Sequence, residues 1–215
     1  MIEDPLPNPS SRPSSPNSNG QKGGQKGGPK DGQATPGNKK TGTLPPKITL
    51  DISTPDQTWL EAVPSLEALL HEVTEEVLKT PEARGRFEIA PAARIGIGFC
   101  FADDAFVAGL NKEFRGQSKP TNVLSFPSGE VFDGIFHLGE ITLASGVVAR
   151  EAVERQKPVL EHTTHLVIHG LLHLLGFDHE TGDEAALMEA IEIKVMQQFG
   201  FGNPYILPEI KTGTK

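Results

Sequence analysis

Three histidines stand close together late in the chain. His169 and His173 are four residues apart and His179 follows six later, within the stretch HLVIHGLLHLLGFDH that begins at His165. On an α-helix a spacing of four places two side chains on one face, one above the other. That is half of a metal site. Gly176 stands three residues after His173, where glycine can take the left-handed conformation that ends a helix and turns the chain back. A chain reversed there can carry His179 round to complete a three-histidine set and leave open the fourth position that a catalytic metal needs for water.

The competing reading is a buried helix that merely contains histidines, because Leu166, Val167, Ile168, Leu171, Leu172, Leu174 and Leu175 surround them and are apolar on every side. Unpartnered buried polar groups cost roughly 1–3 kcal/mol each. A shared ion removes that cost, so the metal reading is preferred, with zinc or another divalent ion as the occupant. His165 lies one turn earlier. It could be a fourth ligand of a closed structural site, but three ligands at four-residue steps spread too far along a helix for one ion, which favours a supporting or core role. Gly170 sits inside the helical pattern, where glycine costs about 1 kcal/mol against alanine, and so implies close approach of substrate or of another backbone. Asp178 suits either of two tasks, orienting a ligand histidine or capping the turn after Gly176.

The elements that must hold these groups follow from periodicity. KITLDIS, from Lys47 to Ser53, alternates as a strand, Pro64 to Leu78 has helical spacing, and RIGIGFCF from Arg94 to Phe101 is a second strand. Asp103 or Asp104 caps a helix running to about Phe114, a short strand covers Asn122 to Phe126, and another covers Phe136 to Leu143, with Gly139 marking a bulge or close backbone approach. Ser145 to Gln156 is helical, Pro158 opens the histidine helix, and Asp183 to Phe199 forms a last amphipathic helix with Met188 and Met196 in the core. Strands interleaved with helices predict an α+β fold, a small mixed sheet covered by helices.

Composition bounds the domain. Residues 1–46 are rich in Pro, Ser, Asn, Gln, Gly and Lys and include QKGGQKGG, a composition expected to stay disordered. The folded domain is expected over residues 47–205, with a flexible C-terminus at 206–215. The tail has six basic and three acidic residues, so the rest carries −11 of the net charge of −8. Such a domain is a poor non-specific binder of nucleic acid, and DNA is not an expected partner. No apolar leader or stretch of ~20 apolar residues is found, so no membrane is expected and a cytoplasmic location is. The single cysteine, Cys100, excludes an internal disulfide and reads as core.

A second polar stretch, RGQSKPTNVLSFP from Arg115 to Pro127, sets a guanidinium and Lys119 at the entrance of a strand. These groups, with Thr121, Asn122 and Ser125, are compatible with phosphate. Alone, an arginine at a helix end more often caps carbonyls. Taken together, HGLLHLLGFDH from His169, FRGQSKPTNVLSFP from Phe114 and LGEI from Leu138 resemble the YbeY family of bacterial metal-dependent endoribonucleases, over roughly Asp51 to Gly200. The resemblance implies one domain of metalloprotease-like architecture with the histidines on a central helix. It further implies a zinc-type ion on His169, His173 and His179, and Arg115 serving hydrolysis of single-stranded RNA. The role implied is maturation of the 3′ end of small-subunit ribosomal RNA and ribosome quality control, with ribosomal RNA, the ribosome, a ribosomal protein and a ribosome-assembly GTPase as partners. The chain departs from the family pattern at Ser118 and Glu140, where aspartate is usual, and at Phe177, where tyrosine is common.

Two rival functions remain. Zinc peptidases of the metzincin type share the ligand and glycine spacing, but their general-base glutamate falls at Gly170 here. The other rival is a ribosome-assembly factor with a structural metal and no reaction. A fourth protein ligand, from His165 or Asp178, would favour that factor, and an open position would favour catalysis.

Overall fold

Why the chain forms a sheet covered on both sides is clearest in its central strand. The computed structural model describes residues 47–86 and 94–206; the expectations for the tail before Lys47 and for residues 207–215 lie outside the described residues. Along β2 (Arg94–Ala102), Ile95, Ile97, Phe99 and Phe101 enter the main core, while Cys100 and Ala102 enter a smaller one with Val107, Leu124 and Ala144. Successive side chains of a strand point to opposite faces, so this apolar run needs cover on both.

The remaining strands are β1 (Lys47–Ser53), β3 (Val123–Phe132) and β4 (Ile135–Ala144). The sheet order is β1-β2-β4-β3, with β1 and β4 parallel to β2 and β3 antiparallel to β4. Three helices, α1 (Thr58–Ala62), α2 (Leu66–Lys79) and α3 (Pro81–Arg84), follow β1. Next in the chain come α4 (Asp104–Arg115) after β2, then α5 (Ser145–Glu154), α6 (Val159–Leu174) and α7 (Gly182–Gln198) after β4. The larger core packs α2, α6 and α7 on one sheet face; Val107 of α4 and Val147 of α5 help close the other.

The predicted elements are present, with shifted ends and additions. The helix expected from Pro64 begins at Leu66, and the short helices α1 and α3 were not anticipated. β3 continues past Phe126 to Phe132, where Asp133 and Gly134, both with positive φ (49° and 70°), form the tight turn into β4. Positive φ at both central residues matches the twist of a two-residue hairpin. Gly139 is a bulge, as expected: the pairing shifts register beside it on both sides. Its φ is 142°, and a Cβ there would overlap the Phe126 carbonyl oxygen.

Every residue of α6 from His162 to Leu174 is buried. Gly170 shows how closely the helix lies on the sheet, since a Cβ at that position would stand 2.9 Å from Ile141 Cγ2 and 3.1 Å from Ser125 Oγ. The Ser125 hydroxyl donates to the Gly170 carbonyl at 3.4 Å. The neighbour that this glycine admits is therefore the sheet itself.

Candidate metal centre

α6 ends where the glycine allows it to end. Gly176 has φ 76°, its N–H bonds the His173 carbonyl at 2.9 Å, and the Phe177 N–H reaches back to the Leu172 carbonyl at 3.0 Å, closing the last turn. Asp178 accepts from the His179 N–H at 2.7 Å, which is the turn-capping alternative. The reversed chain brings His179 against the two helical histidines. Ring centroids lie 4.4 Å apart for His169–His173, 5.5 Å for His169–His179 and 5.1 Å for His173–His179. One ligand nitrogen from each lies within 4.8 Å of the others, so the three could hold a metal ion.

Hydrogen bonding decides which nitrogens face inward. His173 Nδ1 lies 3.0 Å from the Phe177 carbonyl oxygen, which only accepts, so the proton is on Nδ1. His169 Nδ1 likewise donates to Glu192 Oε1 at 2.8 Å. Both Nε2 atoms are then bare in the neutral rings, yet they lie 2.9 Å apart. Two lone pairs at that distance repel unless a cation lies between them. The spacing is near that of two nitrogens on one tetrahedral zinc ion, roughly 3.3 Å, so the donor set fits a divalent ion. Burial keeps the rings neutral: it lowers the pKa of His169, and with the neighbouring His169 it pushes that of His173 down to about 3. Phe177 serves through its main chain, and its ring lies 4.3 Å beneath the Arg86 guanidinium; neither contact needs the tyrosine hydroxyl common at this position.

Behind the three histidines stands a carboxylate to which their spacing does not point. Glu192 of α7 is fully buried. Besides His169, it accepts from His165 Nε2 at 2.8 Å and from the Tyr205 hydroxyl. Burial alone would raise the Glu192 carboxyl, but the bonds from His165 and His169 outweigh it and hold the group well below the ordinary carboxylate range. Burial, then the charge of Glu192, pushes the Tyr205 hydroxyl well up. His165 thus supports His169 through a shared carboxylate, the arrangement that fixes tautomer and ring orientation in metal sites. A signal for Glu192 existed: it falls on the apolar face of α7 beside Met188, Ile191, Val195 and Met196.

These groups border a cavity of about 330 Å³ whose walls include His165, His169, His179, Glu192, Arg155 and Tyr205. Arg115 does not line it. It is the last residue of α4, half-buried, ahead of Gly116 in the left-handed conformation. The loop after it is tied down by Asn111, whose side-chain amide donates to the Lys119 carbonyl at 2.9 Å.

Comparison with known proteins gives the chain a family. The family model described as Endoribonuclease YbeY matches residues 56–200. The chain belongs to the YbeY endoribonuclease family. An Endoribonuclease YbeY of Dinoroseobacter shibae is 40% identical over 181 residues, covering 77% of this chain and 95% of the relative. That of Methylocella silvestris is 40% identical over 162 residues, covering 75% and 88%. Among solved structures, the solution structure of TM1509 from Thermotoga maritima is similar at a TM-score of 0.44 and 22% identity, covering 74% of this chain and 99% of that one. In this YbeY family member the three histidines expected to meet do meet, whereas Arg115 stands apart from their cavity. No helix among the described residues is long and apolar enough to cross a membrane.

Proposed function

We propose that this protein is a metal-dependent endoribonuclease that hydrolyses single-stranded RNA, with zinc on His169, His173 and His179. The observation that carries the metal is the 2.9 Å approach of two Nε2 atoms whose rings are each fixed with the proton on Nδ1. A zinc ion, when bound, supplies Lewis-acid activation of water or of a phosphoryl oxygen. Glu192 holds His169 in the ligating tautomer, and the Phe177 carbonyl does the same for His173. Arg115 is proposed to offset charge developing on the phosphate, meeting the strand from outside the histidine cavity, on a loop that Asn111 keeps in place. The proposed setting is cytoplasmic maturation of the 3′ end of small-subunit ribosomal RNA and ribosome quality control, with the ribosome, a ribosomal protein and an assembly GTPase as partners. Family membership supports this setting.

Two features weigh against the rivals. The position of the peptidase base is Gly170, packed on Ile141 and Ser125, and the carboxylate bonded to a ligand ring, Glu192, is occupied by three donors. A closed structural site would need a fourth protein ligand, yet His165 is engaged with Glu192 and Asp178 with its own turn.

The test is zinc-supported cleavage of a ribosomal RNA fragment and of the DNA of the same sequence, by the parent and by His173→Ala and Arg115→Ala, each with its metal content measured. Cleavage of RNA alone, lost in both variants with metal retained in the arginine variant, is the expected result. Equal cleavage by all three would sink the proposal. The ends of the products identify the attacking group, because a 2′,3′-cyclic phosphate excludes direct attack by water.

A further inference from the structure

Tyr205 is held in an unusual way for a residue near a chain end. Its hydroxyl donates to the fully buried Glu192, its ring stands edge-on to His165 at 5.4 Å and 83°, and its main-chain N–H bonds Asn203 Oδ1 at 2.8 Å. Lys157 in turn grips the Asn203 carbonyl at 3.3 Å. Yet the residue is 40% exposed. Its polar end is consumed inside the protein, so what it offers the cavity is an aromatic surface fixed at both ends. Such surfaces suit the stacking of unpaired bases.

The same cavity is lined by Arg155 at the end of α5. Its charge acts on Tyr205 and Glu151, but no hydrogen bond or ion pair fixes its guanidinium among the described residues. A half-buried guanidinium that faces a cavity in this state has a fork of donors suited to a phosphate. Glu189 shares the lining and repels anions, which leaves Arg155 as the group to meet a phosphate, while Ala185 and Met188 add apolar lining. The volume, about 330 Å³, is of the order of small-ligand pockets, which start near 300 Å³.

We infer that this cavity is a nucleotide subsite beside the metal, in which Tyr205 stacks one base of a single-stranded RNA and Arg155 holds the adjoining phosphate. The inference rests on the RNA-hydrolase reading above and adds the contacts that seat the strand. Neither residue belongs to the ligand set, and neither acts on the reacting atoms.

The test uses the full chain and fluorescein-labelled uridine and adenosine hexamers, with binding read by anisotropy in chelator so that no cleavage intervenes. Stacking on one aromatic ring predicts that Tyr205→Leu weakens binding roughly tenfold, while Tyr205→Phe, which keeps the ring and loses the bond to Glu192, stays near the parent. Arg155→Gln should weaken binding and flatten the plot of log K against log salt by about 0.7, the contribution of one single-strand phosphate. A hexamer with one base removed should bind the parent roughly tenfold more weakly than the intact one, which keeps the test decisive if the leucine variant does not fold. Equal binding by the phenylalanine and leucine variants, an unchanged salt slope, or indifference to the missing base would overturn the subsite. Cleavage by the parent in zinc separates the two ideas. Cleavage with indifferent binding variants keeps the hydrolase and removes the subsite; selective binding without cleavage keeps the subsite and removes the hydrolase.

Discussion

The histidines of α6 serve two carboxylates, Glu151 toward its start and Glu192 toward its end, and the two do different things. Near its start, His162 Nε2 meets Glu151 of α5 at 2.7 Å, and Asn122 donates to the same carboxylate at 2.9 Å. Toward its end, Glu192 of α7 takes His165 and His169, both at 2.8 Å. Both histidines that open these pairs, His162 and His165, are 2% exposed, so burial is not the difference. What differs is what stands in front of the oriented ring. His169 has His173 one helical turn on, with ring centroids 4.4 Å apart and the two Nε2 atoms facing each other at 2.9 Å; the imidazole one turn on from His162 is His165, whose ring lies 6.5 Å away and whose Nε2 is taken by Glu192. A carboxylate–histidine pair is a structural contact by default, and becomes part of a ligand set only when spacing supplies the second bare nitrogen.

The widest separation between the halves should appear on removing a proposed ligand. His173→Ala is expected to lower zinc affinity by more than the 10–100-fold typical of losing a residue behind a ligand, while His162→Ala leaves it near the parent. Competition with a chromophoric chelator measures both. Comparable losses would break the contrast, because the first half of α6 would then share in the site.

Glu192→Gln comes next. The amide keeps the volume but cannot accept from three donors as a carboxylate does, so zinc affinity should fall roughly 10–100-fold, and Glu151→Gln should not move it. An unaltered affinity in Glu192→Gln would mean that the Phe177 contact and the helix alone orient the rings.

The first half should show itself in acid stability. Burial sets the pKa of His162 below the ordinary value of 6.5, against the bond and charge of Glu151, which raise it. The unfolded chain therefore takes up a proton below about pH 6.5 that the folded one refuses, and stability falls as pH falls from there. For Glu151, burial raises the pKa but His162 and Asn122 lower it further. Its contribution is present above the unfolded carboxylate value and lost as pH falls through the folded one. Glu151→Gln should thus cost on the order of 1–2 kcal/mol at pH 7 and less below pH 4, read from urea unfolding midpoints. A cost that stays constant down to pH 3 would contradict the pairing.

Much of this contrast was legible in local spacing and little in distant partners. The histidine spacing and the glycine after it specify one face of a helix and its end, which are local matters. β3 beyond Phe126 was not legible, because Pro127, Ser128 and Gly129 read as a loop; pairing with β4 across a bulge overrides that propensity, although the Asp133–Gly134 pair signalled the hairpin. Glu192 could have been suspected as a charge on an apolar face. Its partners could not, since Tyr205 sits in an irregular segment brought back over α7 by Phe201, which packs on the core and bonds Met196, and by the Lys157 contact to Asn203. Arg115 was legible as the end of a helix, but where that end stands relative to the cavity depends on how α4 packs.

The smallest effect concerns the glycine that separates the ligand half from the sheet. In Gly170→Ala the helix should gain about 1 kcal/mol in intrinsic propensity. The added carbon would meet Ile141 Cγ2 at 2.9 Å and Cδ1 at 3.0 Å, with Ser125 Oγ at 3.1 Å. Ile141 is fully buried and has little room to turn away, and overpacking of this kind costs about 1–3 kcal/mol. The overpacking outweighs the propensity gain, leaving a net loss of about 1 kcal/mol in denaturant unfolding, with the strain placed between His169 and the strands beneath it. Zinc affinity should then fall severalfold while the acid response of the His162 half is unchanged. A variant stabilised by the whole propensity gain, with zinc affinity intact, would show that α6 can lift off the sheet without disturbing the ligands and that the glycine is not what sets their position.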